Sequence, residues 1–174
     1  MENKPICEID TLGNKIWYLD GKLHREDGPA IEWADGTNKW YLDGKLHRED
    51  GPAVEYKNNT KKWYKHGKLH REDGPAIEYH DGNKEWYIND ILHREDGPAI
   101  ITQDGYSFWY NHGVPHRLDG PAKIYSDGTK LWFINNIPIN DEIYPWAKNN
   151  DIDLDNLTDV DKLLIKLTWA DYGN

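Results

Sequence analysis

The residues of this sequence that could do chemistry are a histidine and an aspartate three positions apart, first seen as His24 and Asp27. Such a pair could supply a general base with its orienting carboxylate, or two metal ligands. With an arginine it forms a box that recurs five times: His24, Arg25, Asp27; His47, Arg48, Asp50; His70, Arg71, Asp73; His93, Arg94, Asp96; and His116, Arg117, Asp119. A catalytic site needs different groups converging in one pocket, and equivalent histidines roughly 10 Å apart on successive hairpins cannot share one metal ion. The boxes therefore indicate architecture, and we expect neither an enzyme nor a cofactor or metal site.

The boxes belong to a tandem repeat of 23 residues. Six tryptophans keep this period: Trp17, Trp40, Trp63, Trp86, Trp109 and Trp132. Turn signals such as Asp20-Gly21 and Asp35-Gly36 separate short runs in which apolar and polar residues alternate, a pattern typical of β-hairpins. The sequence predicts a mainly β protein: an elongated, single-sheet antiparallel β-meander of hairpin repeats with a small C-terminal helical cap.

Three segments follow from where the repeat begins and ends. Residues 1–16 read as a degenerate N-terminal half-repeat, 17–139 as the array and 140–174 as the helical cap. Thr158 followed by Asp161 predicts a capping box at the start of a helix. Four apolar residues then recur at helical spacing: Val160, Leu163, Leu164 and Leu167. We expect two short helices to fold over the last hairpin and cover its exposed edge.

Composition narrows the class of protein. With 31 acidic against 21 basic side chains and a net charge of −10, general binding to nucleic acid or anionic membranes is not expected. No apolar run approaches the roughly 20 residues of a membrane span, and residues 1–5 do not match a signal peptide. The lone Cys7 is expected to be an inert small hydrophobe and fits a reducing cytoplasm.

The repeat unit resembles the MORN repeat in its aromatic-x-x-x-Gly segment, its central His and its later Asp-Gly. It is more similar to the variant with His-Arg-x-Asp-Gly-Pro-Ala that occurs in phage- and virus-encoded proteins. The resemblance covers about residues 5 to 138. The sequence departs from the common MORN pattern in having Arg in place of the usual Gly after His and in adding Gly-Pro. MORN-type arrays serve as scaffolds, lipid-apposed platforms and protein-binding surfaces. The resemblance therefore implies a fold, and beyond it a viral protein in the host cytoplasm that binds and inhibits a host protein, such as one of host defence.

The aromatic columns of the array have two interpretations each. The tryptophan column is expected to form the thin core of the sheet, with rings packed edge-to-face between repeats; the alternative is an open platform that stacks sugars or bases. The tyrosine column, which includes Tyr41 and Tyr64, lies on the other face of the strands. It is expected to be partly exposed, either as structural support or in contact with a ligand.

Recognition of one partner must break the symmetry of the array, so the binding residues are expected in the repeat that differs most from the others. The candidate binding residues are Ile101, Tyr106, Phe108, Tyr110, Asn111 and His112. Strand alternation places Tyr106, Phe108 and Tyr110 on one face as an aromatic strip, and aromatic side chains are common hot spots of protein interfaces. The acidic cap nearby would steer a basic partner towards the strip. The alternative is that these residues pack beneath the C-terminal helices.

The leading functional hypothesis is a non-enzymatic, protein-binding repeat module. Three alternatives remain open at this point: binding of a nucleotide or glycan on an aromatic face, an acidic mimic of nucleic acid that blocks a nuclease, and a structural assembly element. The sequence does not predict an oligomeric state.

Overall fold

The computed structural model describes residues 4–172 of the chain, which form short antiparallel strands followed by two helices. The strands are β1 (Ile6–Ile9), β2 (Lys15–Leu19), β3 (Lys22–Leu23), β4 (Ile31–Glu32), β5 (Asn38–Lys39), β6 (Tyr41–Leu42), β7 (Lys45–Leu46), β8 (Val54–Glu55), β9 (Lys61–Lys62), β10 (Tyr64–Lys65), β11 (Lys68–Leu69), β12 (Ile77–Glu78), β13 (Lys84–Glu85), β14 (Tyr87–Ile88), β15 (Ile91–Leu92), β16 (Ile100–Ile101), β17 (Ser107–Phe108), β18 (Tyr110–Asn111), β19 (Val114–Pro115), β20 (Lys123–Ile124), β21 (Lys130–Leu131), β22 (Phe133–Ile134) and β23 (Ile137–Pro138). The helices are α1 (Asn140–Asn149) and α2 (Asp159–Trp169).

One antiparallel sheet contains thirteen of these strands, in the order β1-β2-β4-β5-β8-β9-β12-β13-β16-β17-β20-β21, with β3 paired to β2. The predicted fold class, a mainly β meander with a C-terminal helical cap, is confirmed. Contacts within the chain divide the protein into two compact units, residues up to Ile91 and residues from Leu92 onward.

The second hairpin of most repeats leaves the large sheet and forms a two-stranded sheet of its own, such as β6–β7. The break falls at the repeat tryptophan: β5 ends at Lys39 and β6 begins at Tyr41. The Trp40 amide donates to the Ala53 carbonyl at 2.8 Å, and the Trp40 carbonyl accepts from the His47 amide at 3.1 Å. The backbone groups freed by the break are therefore paired, as buried backbone groups must be.

The first unit has a thin aliphatic core. Ile31, Val54 and Ile77 are buried at equivalent positions of successive repeats, each preceded by an alanine with no exposed surface. Several hairpin turns use a left-handed first residue followed by glycine, as at Asp43 (φ 50°) and Gly44 (φ 79°). This geometry matches the twist of two-residue hairpins and favours Asp, Asn and Gly.

The second unit contains the largest apolar core of the described residues. Six buried residues form it: Trp132, Ile134, Ile139, Ile143, Ile165 and Trp169. The helices thus pack on the last hairpin, as expected. The predicted capping box is also present, since the Asp161 amide donates to Thr158 Oγ1 at 3.2 Å and the Thr158 amide donates to Asp161 Oδ2 at 2.9 Å.

Helical spacing alone does not identify the buried side of α2. The four residues at helical spacing are exposed, with fractions of 74% for Val160, 56% for Leu163, 40% for Leu164 and 69% for Leu167. Helix α2 carries apolar residues on two opposite sides, and it buries the side with Ile165 and Trp169. That side contains the Trp169 ring, and the burial of aromatic side chains contributes a large part of core stability.

Candidate functional site

The arginine of each box is fixed by contacts within its own repeat. The Arg48 guanidinium lies 4.1 Å from the centre of the Trp40 ring. Its Nε donates to Asp50 Oδ1 at 2.8 Å, and its Nη1 donates to the Pro52 carbonyl at 3.4 Å and to Glu55 Oε1 at 3.2 Å. Hydrogen bonding and charge from Arg48 hold the pKa of Asp50 below its usual value.

The same stack recurs in other repeats, with Arg25 over Trp17 at 4.0 Å, Arg71 over Trp63 at 4.1 Å and Arg117 over Trp109 at 4.1 Å. The expectation that these tryptophans form a core by edge-to-face packing is therefore wrong. Their rings are half-buried beneath a guanidinium, a favourable cation–π arrangement. Of the repeat tryptophans, Trp132 is buried, with 1% exposed, in the helical cap core.

The histidine of each box links one repeat to the next. His47 Nδ1 accepts a hydrogen bond from the His66 amide at 3.2 Å, and His116 Nδ1 accepts from the Asn135 amide at 3.0 Å. Burial lowers the pKa of both His47 and His116, which favours the neutral ring that accepts this bond. The box aspartates accept hydrogen bonds from the arginines of their own boxes: Arg25 Nε donates to Asp27 Oδ1 at 2.8 Å.

These contacts give each box a structural account within its own repeat and the next. No group of three or more His, Cys, Asp or Glu side chains in the described part of the chain could hold a metal ion. Cys7 is exposed on the outer strand β1 rather than buried.

Three aromatic rings meet on one face of the second unit. The ring centres of Tyr106 and Phe108 are 5.9 Å apart, and Tyr125 lies 5.8 Å from Tyr106 and 5.2 Å from Phe108. These distances lie within the range of favourable aromatic pairs. All three residues are partly exposed. We call Tyr106, Phe108, Tyr110 and Tyr125 the aromatic cluster.

Lys123 joins the fourth ring to the others. Its Nζ lies 6.0 Å from the centre of the Phe108 ring, 5.9 Å from Tyr110 and 5.1 Å from Phe133, all within cation–π range. Register explains this, because Lys123 lies directly opposite Phe108 in the β17–β20 pair. Within residues 4–172, no carboxylate forms an ion pair with Lys123.

Sequence reasoning missed Tyr125 and Lys123, although the repeat contains a signal for both. Lys123 stands where other repeats have an aliphatic residue: Ile31, Val54, Ile77 and Ile100. Tyr125 continues an aromatic column that includes Trp33, Tyr56 and Tyr79. A comparison of each position across all repeats, rather than of the most variable stretch alone, identifies Lys123 as a lysine at an otherwise aliphatic position.

The other candidate residues do not join the cluster. Ile101 pairs with Ser107 whereas Ile100 pairs with Phe108, so Ile101 lies on the opposite face of the sheet. Asn111 and His112 line a groove of about 710 Å³ beside the fourth and fifth boxes. The His112 ring lies 4.6 Å from the ring of His93, the histidine of the fourth box.

The helical cap core does not include the aromatic cluster. In the described chain that core consists of six buried residues and five partly buried ones packed against them: Leu118, Trp146, Leu154, Leu157 and Tyr172. Packing beneath the helices therefore does not account for Tyr106 or Phe108. Their rings are covered only in part, mainly by each other and by Tyr125.

No protein-family model matches this sequence, and no curated protein matches it. The resemblance to MORN repeats rests on the sequence motif, and the repeated hairpins are compatible with it. In the part of the chain described by the structure, no helix has the length and apolar character needed to cross a membrane.

Proposed function

We propose that this chain is a non-enzymatic protein-binding module and that the aromatic cluster is its docking surface. The observation that carries the proposal is the meeting of Tyr106, Phe108 and Tyr125 as partly exposed rings on one sheet face. At the position of Phe108, other repeats have Lys39 and Lys62. An aromatic side chain at a position where the three preceding copies carry a charged residue adds apolar surface, which supports recognition rather than construction of the array.

The physical character of the cluster supports a protein partner. Partly buried aromatic rings supply rigid contact area, and a partner that covers them removes apolar surface from water. Lys123 adds one positive charge beside Phe108 and Tyr110, which favours a partner with a carboxylate or carbonyl next to its apolar anchor. Identification of the partner as a host protein, and of the module as its inhibitor, is supported by the motif resemblance alone.

The test begins with capture of a partner from a host-cell lysate on the purified chain, followed by titration of the purified partner. The variant Tyr106→Thr/Phe108→Lys removes two rings and installs the residues found at the same positions of other repeats, such as Thr60 and Lys62. We expect it to fold and to bind at least about 30-fold more weakly, as loss of an aromatic hot spot predicts.

The matched control is Trp33→Ala, which removes a similarly exposed ring at the position equivalent to Tyr125 in the first unit. It should bind like the wild type. Equal affinity of wild type and the double variant, both with unchanged melting temperatures, would contradict the proposal and place recognition elsewhere.

A further inference from the structure

The exposed side of α2 is the largest apolar feature of the helical cap that the chain itself leaves uncovered. Val160, Leu163, Leu164 and Leu167 lie on it, on the side of the helix opposite Ile165 and Trp169 at about 100° per residue. Ile165 and Trp169 already anchor the helix on Trp132 and Ile143. These four outer side chains are therefore not needed to hold α2 in the fold of this chain.

Charged residues border this apolar side. Asp159 and Lys166 are seven residues apart and so lie along the same flank at opposite ends of the helix. The Asp159 side chain is fully exposed and forms an ion pair with Lys162 Nζ at 3.1 Å. The flank therefore has a negative end and a positive end.

We propose that α2 forms the interface of a homodimer, paired antiparallel with α2 of a second copy about a twofold axis between Leu163 and Leu164. This axis places Val160 opposite Leu167 of the other copy, and Leu163 opposite Leu164. It also brings Asp159 of each copy to Lys166 of the other, so that two intermolecular ion pairs border the apolar contact.

The charge pattern selects a second copy over other occupants. A basic partner would meet Lys166 unfavourably, and an acidic partner would meet Asp159 unfavourably, whereas a reversed copy complements both ends. In a parallel pair the flanks that carry Asp159 and Lys166 would lie on opposite sides of the contact, so neither intermolecular ion pair would form.

The contact is small. Four side chains from each copy bury less than the roughly 1,200 Å² at the lower end of stable interfaces. The homodimer is therefore expected to exchange with monomer and to dissociate in the micromolar range. Each copy carries a charge of −10, so association is measured near 0.15 M salt, where screening acts within about 8 Å.

Sedimentation equilibrium of the full chain between 5 and 500 µM, concentrations chosen to span roughly the micromolar range, tests the interface. Wild type is expected to change from monomer to dimer over this range, and Leu163→Asp to remain monomeric. The matched control Leu12→Asp adds the same charge at a leucine that is 76% exposed in the first unit, and it should dimerise like wild type. A wild type that is monomeric throughout, or a Leu163→Asp variant that dimerises as well as wild type, would overturn the proposal.

A charge exchange tests the antiparallel arrangement itself. Asp159→Lys and Lys166→Asp each create like-charge contacts in their own homodimers, and each is expected to associate at least about threefold more weakly than wild type, the effect of an exposed ion pair. An equimolar mixture of the two variants forms opposite-charge contacts at both ends, and its association should recover. Failure of the mixture to recover, with both variants folded, would refute this pairing.

Discussion

The salt bridge between Arg48 and Glu55 gives the sharpest test of the claim that the His-Arg-Asp box is a structural device. Arg48 Nη1 donates to Glu55 Oε1 at 3.2 Å, and the exposed fractions of the two side chains are 23% for Arg48 and 38% for Glu55. The perturbation is a double-mutant cycle of Arg48→Met and Glu55→Gln. Since the pair is partly screened by solvent, we expect a coupling free energy of about 0.5–1 kcal/mol.

The single Arg48→Met variant should cost more than this coupling. It also loses the stack on Trp40, worth about 0.5–1 kcal/mol, and the bonds to Asp50 and the Pro52 carbonyl, worth about 0.5–1 kcal/mol each. We therefore expect a loss of about 2–4 kcal/mol in the free energy of unfolding, measured by urea denaturation followed by far-UV circular dichroism.

The chain contains its own control cycle. Ile124 occupies the position in the fifth repeat that Glu55 occupies in the second, while Arg117 keeps its stack on Trp109 at 4.1 Å. Arg117→Met combined with Ile124→Gln should show no coupling beyond about 0.3 kcal/mol. The reasoning is refuted if the Arg48 cycle is additive within that margin, or if both cycles give the same coupling.

Two further predictions concern stability. Ile165→Ala should lower the free energy of unfolding by about 2–5 kcal/mol because it opens a cavity in the helical cap core; Leu167→Ala, at an exposed position, should change it by less than about 0.5 kcal/mol, and similar urea midpoints for the two would contradict the assigned helix orientation. Burial lowers the pKa of His47 and His116 in the folded chain, so their contribution to stability is complete above the unfolded pKa of about 6.5 and falls as the pH drops below it, by at most about 1.4 kcal/mol per pH unit for each ring. His47→Asn/His116→Asn, in which an amide oxygen replaces Nδ1, should flatten the unfolding profile between about pH 5 and 7; an unchanged slope would contradict this origin.

The 23-residue period was enough to predict hairpins, antiparallel pairing and the change to helix near residue 140. Turn chemistry and strand alternation are local properties, so five repeated copies report them reliably. The period did not predict that the backbone breaks at Trp40, or that Arg48 covers its ring. Those features depend on how a strand leaves the sheet and which long side chain folds back over it, and neither has a sequence period of its own.

Helix α2 and the aromatic cluster show the same limit in two forms. Helical spacing identifies the apolar positions of α2, but two opposite sides of this helix are apolar, and only packing against Trp132 decides that Ile165 is buried and Leu163 exposed. In the cluster, alternation correctly placed Tyr106 and Phe108 together. Alternation within one strand cannot show which residues a neighbouring strand contributes to the cluster. That prediction requires the register, which is a property of strand pairing rather than of one strand.

Docking of a protein partner on the aromatic cluster is the central proposal. The most direct measurement is a map of amide and side-chain chemical-shift changes in the isotope-labelled chain as the captured partner is added. The account predicts that the largest changes occur at Tyr106, Phe108, Tyr110, Lys123 and Tyr125. Changes concentrated at the arginine-covered tryptophans, such as Trp40 and Trp63, or spread equally over all repeats, would contradict it.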